Sequence, residues 1–359
     1  MPIQNQRVFF GSHDPWEAVE PTVSERQMMV SRDNPNSPFS RFIGNDKAVR
    51  KLQTAAFNAL GHPNHLMREL SFSIFGPSSA GKTTLARLYA EVVDLPFIEV
   101  SPKSIRTIED LFKKISDVLG NEGVPLVEVR PKHYVLPPCV ILIDEVHALS
   151  DSVVQGLLKA TEYNDSVMAT ETGKVVNTYD VTWFVATTDE GKLFDAFRTR
   201  FSPVMLKMLN KDEVSQVVRL ANPDLSSSVC SLIAHYNSRI PRKALEFARY
   251  MRMAREMHPD LSWSDLARRV ASDEGIDEHG MHEVHLGLLR ALSNGPIAKN
   301  RIGLITGRKD EEVDRYILPW LLTETDDMPA LVTVTAKGYT ITTAGILELE
   351  RRDIVAISA

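Results

Sequence analysis

Leu70 to Val93 of this 359-residue chain read "LSFSIFGPSSAGKTTLARLYAEVV". "LSFSIFG" has the pattern of a strand running into a glycine turn, and "KTTLARLYAEVV" that of the helix leaving it. Between them, "GPSSAGKTT" (Gly76 to Thr84) matches GxxxxGK[ST] in the strand–turn–helix context that this pattern needs. Gly76 and Gly81 let backbone N–H groups turn inward around phosphate oxygens. Lys82 reaches the β- and γ-phosphates and the Thr83 hydroxyl holds Mg²⁺, with Thr84 next to it in the same first helical turn. The positive end of the helix favours the anion further.

Strands and helices keep alternating on both sides of this loop. "NDKAVRKLQTAAFNAL" places Val49, Leu52, Ala55, Ala56 and Leu60 at helical spacing, with Asn45 or Asp46 as cap. "CVILIDEVHAL" is a continuous apolar run ending in two acids, as a central parallel strand covered on both faces would be. "VTWFVATT" is another such strand. The fold class is therefore α/β, a doubly wound parallel sheet over residues 36–208. An arm, 1–35, precedes it. Four helical patterns over 209–275 make a small all-helical domain. Residues 276–359 hold three short helical stretches and then "LVTVTAKGYTITTAG", two strands around Lys337-Gly338.

The bulk numbers exclude several classes. The chain is 43% hydrophobic and 25% charged, and no apolar run approaches the ~20 residues a bilayer span needs. The first residues lack the charged and apolar regions of a secretion signal, so none is expected. Two cysteines, Cys139 and Cys230, make no metal motif, and free thiols in a reducing cytoplasm are expected. A net charge of −6 argues against coating nucleic acid by bulk charge, though not against a small local contact.

Unpaired buried charge is costly, so two carboxylates at the end of a buried strand need a task. Asp144 suits the Mg²⁺ site, and Glu145 suits the general base that polarises an attacking water. His147 is either a sensor of phosphate or DNA or a packed surface residue. The strand Val181 to Thr188 would lie beside that of Asp144, so Thr188, or its neighbour Thr187, can hold the lytic water. Arg200, twelve residues after Thr188, falls on the far surface of the same domain. It would meet a γ-phosphate only on a neighbouring subunit, in a head-to-tail ring. Arg198 either assists it or pairs with an acid. Arg242 follows Pro241 at a helix start, where a cation opposes the dipole, and reaching phosphates across the interdomain cleft is the task assigned to it.

Together these elements resemble the AAA+ ATPases and, among them, the RuvB-type branch-migration motors. The matching pieces are "FIGNDKAVRKL", "GPSSAGKTTLAR", "LIDEVHAL", "ATTDEGKLFDAFRTRF", "SRIPRKA" and a winged-helix pattern from "GLLRALSNGPIAKNRIGLITG" to "AKGYTITTAG". The resemblance implies ATP and Mg²⁺ as cofactors, Thr188 as sensor 1, Arg200 as trans-acting finger, Arg242 as sensor 2, and Phe42, Ile43 and Gly44 bordering the adenine. It also implies a homo-oligomeric ring, a hexamer, moving duplex or four-way-junction DNA without regard to sequence, and a RuvA-like partner.

The chain departs from that pattern in several places. "NEGVPLVEVRPKHYVLPP" reads as an insertion over 120–138, and the hairpin "SVMATETGKVVNTYDV" is less apolar than one that docks a partner. The wing carries Lys337-Gly338-Tyr339, so Lys337 would meet DNA phosphate and Tyr339 would stack or hydrogen-bond. Residues 276–359 hold nine Lys/Arg against thirteen Asp/Glu, and the recognition-helix pattern "KDEEVDRYILPWLL" starts acidic. An AAA+ switch of the helicase-loader or clamp-loader type is the alternative.

Overall fold

The computed structural model describes residues 23–61, 71–162, 166–188, 191, 195–237, 240–278, 280–322, 324 and 329–357. Five parallel strands form the central sheet: β1 (Ser71–Phe75), β2 (Phe97–Val100), β5 (Cys139–Asp144), β8 (Val181–Thr187) and β9 (Ser202–Met205), in the order β2-β5-β8-β1-β9. Alternate residues of the apolar strands feed two cores. Phe72, Val140, Leu142 and Phe184 face α2 (Asp46–Gly61) and α3 (Lys82–Val93). Ile141, Ile143, Val181 and Trp183 face α4 (Ile108–Asn121) and α5 (Asp151–Ala160). Burial on both faces is why these strands read as unbroken apolar runs. Phe72 stacks on Phe184 at 5.0 Å and Tyr89 meets Phe184 edge-on at 5.3 Å, which ties α3 to the strands that carry the phosphate loop and Thr187.

The residues expected as an arm lie partly in this domain and partly outside the described chain. A short helix, α1 (Val23–Met28), leads to Val30, which is buried in the same core as α2. Gln53 donates to the Val30 carbonyl, and Arg32 pairs with Asp46 and with the Phe42 carbonyl. Residues 1–22 are not among the described ones. The expected cap Asn45 takes another job: its amide exchanges two hydrogen bonds with the Lys207 backbone, at 2.7 and 3.2 Å.

The insertion over 120–138 is the largest addition to the sequence reading. It folds as β3 (Val127–Arg130) and β4 (His133–Val135), and β4 pairs in parallel with β7 (Val175–Asn177) of the hairpin formed with β6 (Val167–Ala169). The result is a second sheet, β3-β4-β7-β6. Met168, Val176 and Leu136 anchor it in the core beneath α4 and α5. The hairpin turn is fastened to the start of α4. The Glu171 carboxylate accepts from the N–H groups of Ile108 and Glu109 at 3.1 and 3.0 Å, and Lys174 at 2.5 Å and Thr172 hold the Glu109 side chain.

A short helix, α6 (Asp195–Arg200), precedes β9, and the smaller domains follow that strand. Helices α7 (Lys211–Ala221), α8 (Ser227–Tyr236), α9 (Pro241–Met257) and α10 (Trp263–Asp273) enclose a core around Phe247, Met251 and Leu266. The last part packs α11 (Glu283–Ser293), α12 (Lys299–Thr306), α13 (Asp310–Glu312), a π-helical turn Val313–Ile317, α14 (Leu318–Leu322) and the hairpin β10 (Val332–Thr335)–β11 (Gly338–Ile341) around Leu288, Leu292 and Trp320. A closing helix, α15 (Thr343–Ile357), had no counterpart in the sequence reading. Among the described residues no helix is long and apolar enough to cross a membrane, and both cysteines are buried free thiols.

Candidate nucleotide site

The phosphate loop leaves β1 at Phe75 and enters α3 at Lys82. Two glycines shape it. A Cβ on Gly76 would lie 2.8 Å from the Leu206 carbonyl oxygen; Gly81 has φ +93° and sits 2.9 Å, on the same measure, from the Phe42 ring. Gly81 offers no side chain to cap α3, so the first N–H groups of that helix are left for an anion. Lys82, 7% exposed, lies along the loop and donates to the carbonyls of Gly76 at 2.9 Å and Pro77 at 3.2 Å. Burial lowers its pKa; the charges of Glu145 and Asp144 oppose that shift, and the charge of Arg242 adds to it. A buried cation flanked by two carboxylates and an open helix start is a donor set that fits a polyphosphate with a divalent ion.

Asp144 closes β5, with its pKa raised first by burial and then by Glu145, while Lys82 pulls it down. Thr83 is half-buried and Thr84 exposed in the first turn of α3. Glu145 has left-handed backbone (φ 54°, ψ 49°), a strained conformation for a non-glycine residue, and strain of this kind gathers at functional sites. Its Oε2 accepts from the Thr188 N–H and the Thr188 hydroxyl, both at 3.2 Å. The two threonines are thereby separated: Thr188 faces Glu145, whereas Thr187, 1% exposed, meets His147 Nδ1 at 2.9 Å. Sequence reasoning singled out His147 without finding its partners. Its position three residues past Asp144, in a turn, was the available signal.

Phe42, Ile43 and Gly44 lie where the large domain meets the helical one. The Phe42 ring is buried against Gly81, so it supports the phosphate loop from behind. A Cβ on Gly44, at φ +70°, would lie 2.6 Å from the Glu213 carboxylate of α7. Arg242, exposed in the first turn of α9, comes from the other side of this junction.

Arg200 is placed elsewhere. It ends α6, where Phe197 and the next residue after the helix, Phe201, are buried edge to face at 5.2 Å, and its guanidinium lies 3.8 Å from Glu162, two residues past α5. Arg198 is 3.9 Å from Asp195 on the same short helix. Residues 189, 190 and 192–194 between Thr188 and Arg200, and 238 and 239 before Arg242, lie outside the described residues.

In the winged region Lys337 is exposed at the β10–β11 turn. Tyr339 lies two residues on, in β11. Its backbone pairs with Ile297 through two 2.9 Å hydrogen bonds, and its ring is half-buried against the local core. Two acids of the expected recognition helix are paired with cations outside it, Asp314 with Lys299 at 3.0 Å and Glu312 with Arg308 at 3.7 Å.

Residues 72–209 match the family model for the ATPase family associated with various cellular activities (AAA). The Holliday junction branch migration complex subunit RuvB of Rickettsia africae is 24% identical over 338 residues, covering 88% of this chain and 89% of the relative. That of Clavibacter michiganensis is 25% identical over 322 residues, covering 85% and 82%. The structure of the Thermotoga maritima RuvB Holliday junction branch migration motor superposes with a TM-score of 0.66 at 20% identity, over 86% of this chain and 95% of that one. With the parallel sheet, phosphate loop and carboxylate-bearing strand in place, residues 72–209 are an AAA-type ATPase domain, and the chain is similar to RuvB along most of its length.

Proposed function

We propose that this ATPase is a ring-forming motor that moves duplex DNA, acting as its relatives named for Holliday junction branch migration do. The observation that carries the reading is the division of the site. Lys82, Asp144, Glu145 and Thr188 converge on one phosphate loop, whereas Arg200 is held by Glu162 on the surface of its own domain. A cation so placed serves a γ-phosphate on the next subunit of a head-to-tail ring, a hexamer. In each site Lys82 and the first N–H groups of α3 would bind the phosphates of ATP, and Thr83 with Asp144 would hold Mg²⁺, which neutralises charge on the transferred phosphoryl group. Glu145 takes the proton of the attacking water, Thr188 orients that water, and Arg242 links the helical domain to the phosphates. Such a motor works in the cytoplasm.

DNA contact falls to Lys337 at the wing, through phosphate and without sequence preference. A second reading, a loader-type switch with slow turnover, is favoured by the acidic recognition helix, whose Asp314 and Glu312 pair with Lys299 and Arg308 outside it, and by the half-buried Tyr339. A RuvA-like partner would meet a four-stranded sheet and not a free hairpin.

Steady-state ATPase without DNA, with linear duplex and with a synthetic four-way junction, at two salt concentrations, separates the readings. The motor predicts stimulation by DNA that falls steeply with salt. A low rate indifferent to all DNA would leave only the switch. Arg200→Ala should lower turnover ~10³–10⁵-fold while ATP still binds, and full activity in that variant would refute the ring.

A further inference from the structure

We infer that His147 is a positioning residue that, with Thr188, grips Glu145 by one carboxylate oxygen and leaves the other to work on water. The inference rests on the reading of Glu145 as general base. β5 ends at Asp144, the chain reverses at Glu145, and a single 3₁₀ turn, Val146–Ala148, follows. Val146 is wholly buried in the core and fixes that turn to the sheet. His147 is thereby aimed back at the ends of both β5 and β8. Its Nδ1 lies 2.9 Å from Thr187 Oγ1 and 3.4 Å from Glu145 Oε2. A carboxylate oxygen only accepts, so the proton belongs on Nδ1, directed between the hydroxyl and the carboxylate.

The three contacts to Glu145 share a single atom. Oε2 faces the Thr188 N–H, the Thr188 hydroxyl and His147 Nδ1. Among the described residues, Oε1 accepts no hydrogen bond that would compete with a water. A Glu side chain has three rotatable bonds, and fixing one oxygen from two directions sets where the other points. Thr187 is the inner anchor: at 1% exposure, in the last position of β8, it ties the imidazole to the strand end that Thr188 directly follows. Base and sensor are then held as one unit across two neighbouring strands, and misplacing a reacting group by about 1 Å costs ~10²-fold.

The test compares His147→Asn, His147→Gln and His147→Ala in the full chain. The Asn amide N–H reaches the place of Nδ1; that of Gln reaches the place of Nε2. His147→Ala and His147→Gln should lower kcat at least about tenfold, with KM, affinity for a fluorescent ATP analogue and melting temperature unchanged. His147→Asn should recover most of the rate. Thr187→Val should act in the same direction, and combining it with His147→Ala should add little, because both remove one tether. His147→Asn as slow as His147→Ala, or all variants at the wild-type rate, overturns the inference. Glu145→Gln is the control. If it still turns over, the general-base reading fails and takes this inference with it; if it is inactive while His147→Ala runs at full rate, the positioning role alone is wrong.

Discussion

The two sheets of the large domain are built on different principles. In the central sheet every residue of β8 is buried, and Cys139 to Ile143 of β5 are at most 1% exposed. In the second sheet all four residues of β3 are exposed, Val127 at 56% and Val129 at 61%, and the strand carries a bulge with Glu128 and Arg130 at the edge. Bulges and charges are how an edge strand avoids pairing with another chain. The first sheet is a rigid base for chemistry at the ends of its strands; the second is held by a few anchors and by charge. Burial on both faces leaves a strand no freedom of register, and that precision is what Lys82, Glu145 and Thr188 need in order to converge.

Mutations at the two sheets should therefore differ in size. Trp183→Ala removes the largest fully buried side chain, in the middle of β8. It should cost ~3–5 kcal/mol in urea unfolding, and a loss under 1 kcal/mol would mean the central sheet is not the stability core. Lys82→Ala acts on the chemistry that this sheet carries. It should lower kcat ~10²–10³-fold with the melting temperature little changed, and a near-normal rate would move the phosphate site elsewhere.

Effects at the second sheet should be smaller and depend on pH. The hydrogen bond from Lys174, then those from Thr172 and Thr170, hold the Glu109 carboxyl down to about 2. A depressed carboxylate stabilises the fold fully above its unfolded pKa, about 4.3, and the contribution fades as pH falls through that value towards about 2. Glu109→Gln should thus cost a constant amount at neutral pH, within ~1 kcal/mol because solvent screens the pair, and the difference from wild type should shrink in acid. A difference that grows as pH falls would sink this account. The smallest effect belongs to the edge itself. Val129→Thr should change stability by no more than ~0.5 kcal/mol, and a larger loss would reveal that β3 is covered in solution.

The same contrast explains what could be read from residue order. The phosphate loop, the acids ending β5 and the apolar runs of β5 and β8 were legible because each is a local pattern with a local physical cause. The wing hairpin was legible for the same reason, from alternation around Lys337-Gly338. The inserted segment gave no such signal: β3 and β4 are short, exposed or half-exposed, and acquire their pairing from β7, some forty residues later. Asn45 looked like a cap because asparagine often is one; its amide instead found the Lys207 backbone, which no local rule anticipates. The backbone pairing of Tyr339 with Ile297 likewise left no local signal.

Residue order alone pointed to the class of fold, to a phosphate loop and to the acids and cations proposed for its chemistry, since these rest on spacing within a strand, a turn or a helix. Assembly in three dimensions established which threonine meets Glu145, that His147 joins the same carboxylate oxygen, and that Arg200 rests on Glu162. Those relations arise between strands and helices distant in the chain. Their geometry is set by how two hydrophobic cores close around one sheet, and such closure leaves no trace in any short run of residues.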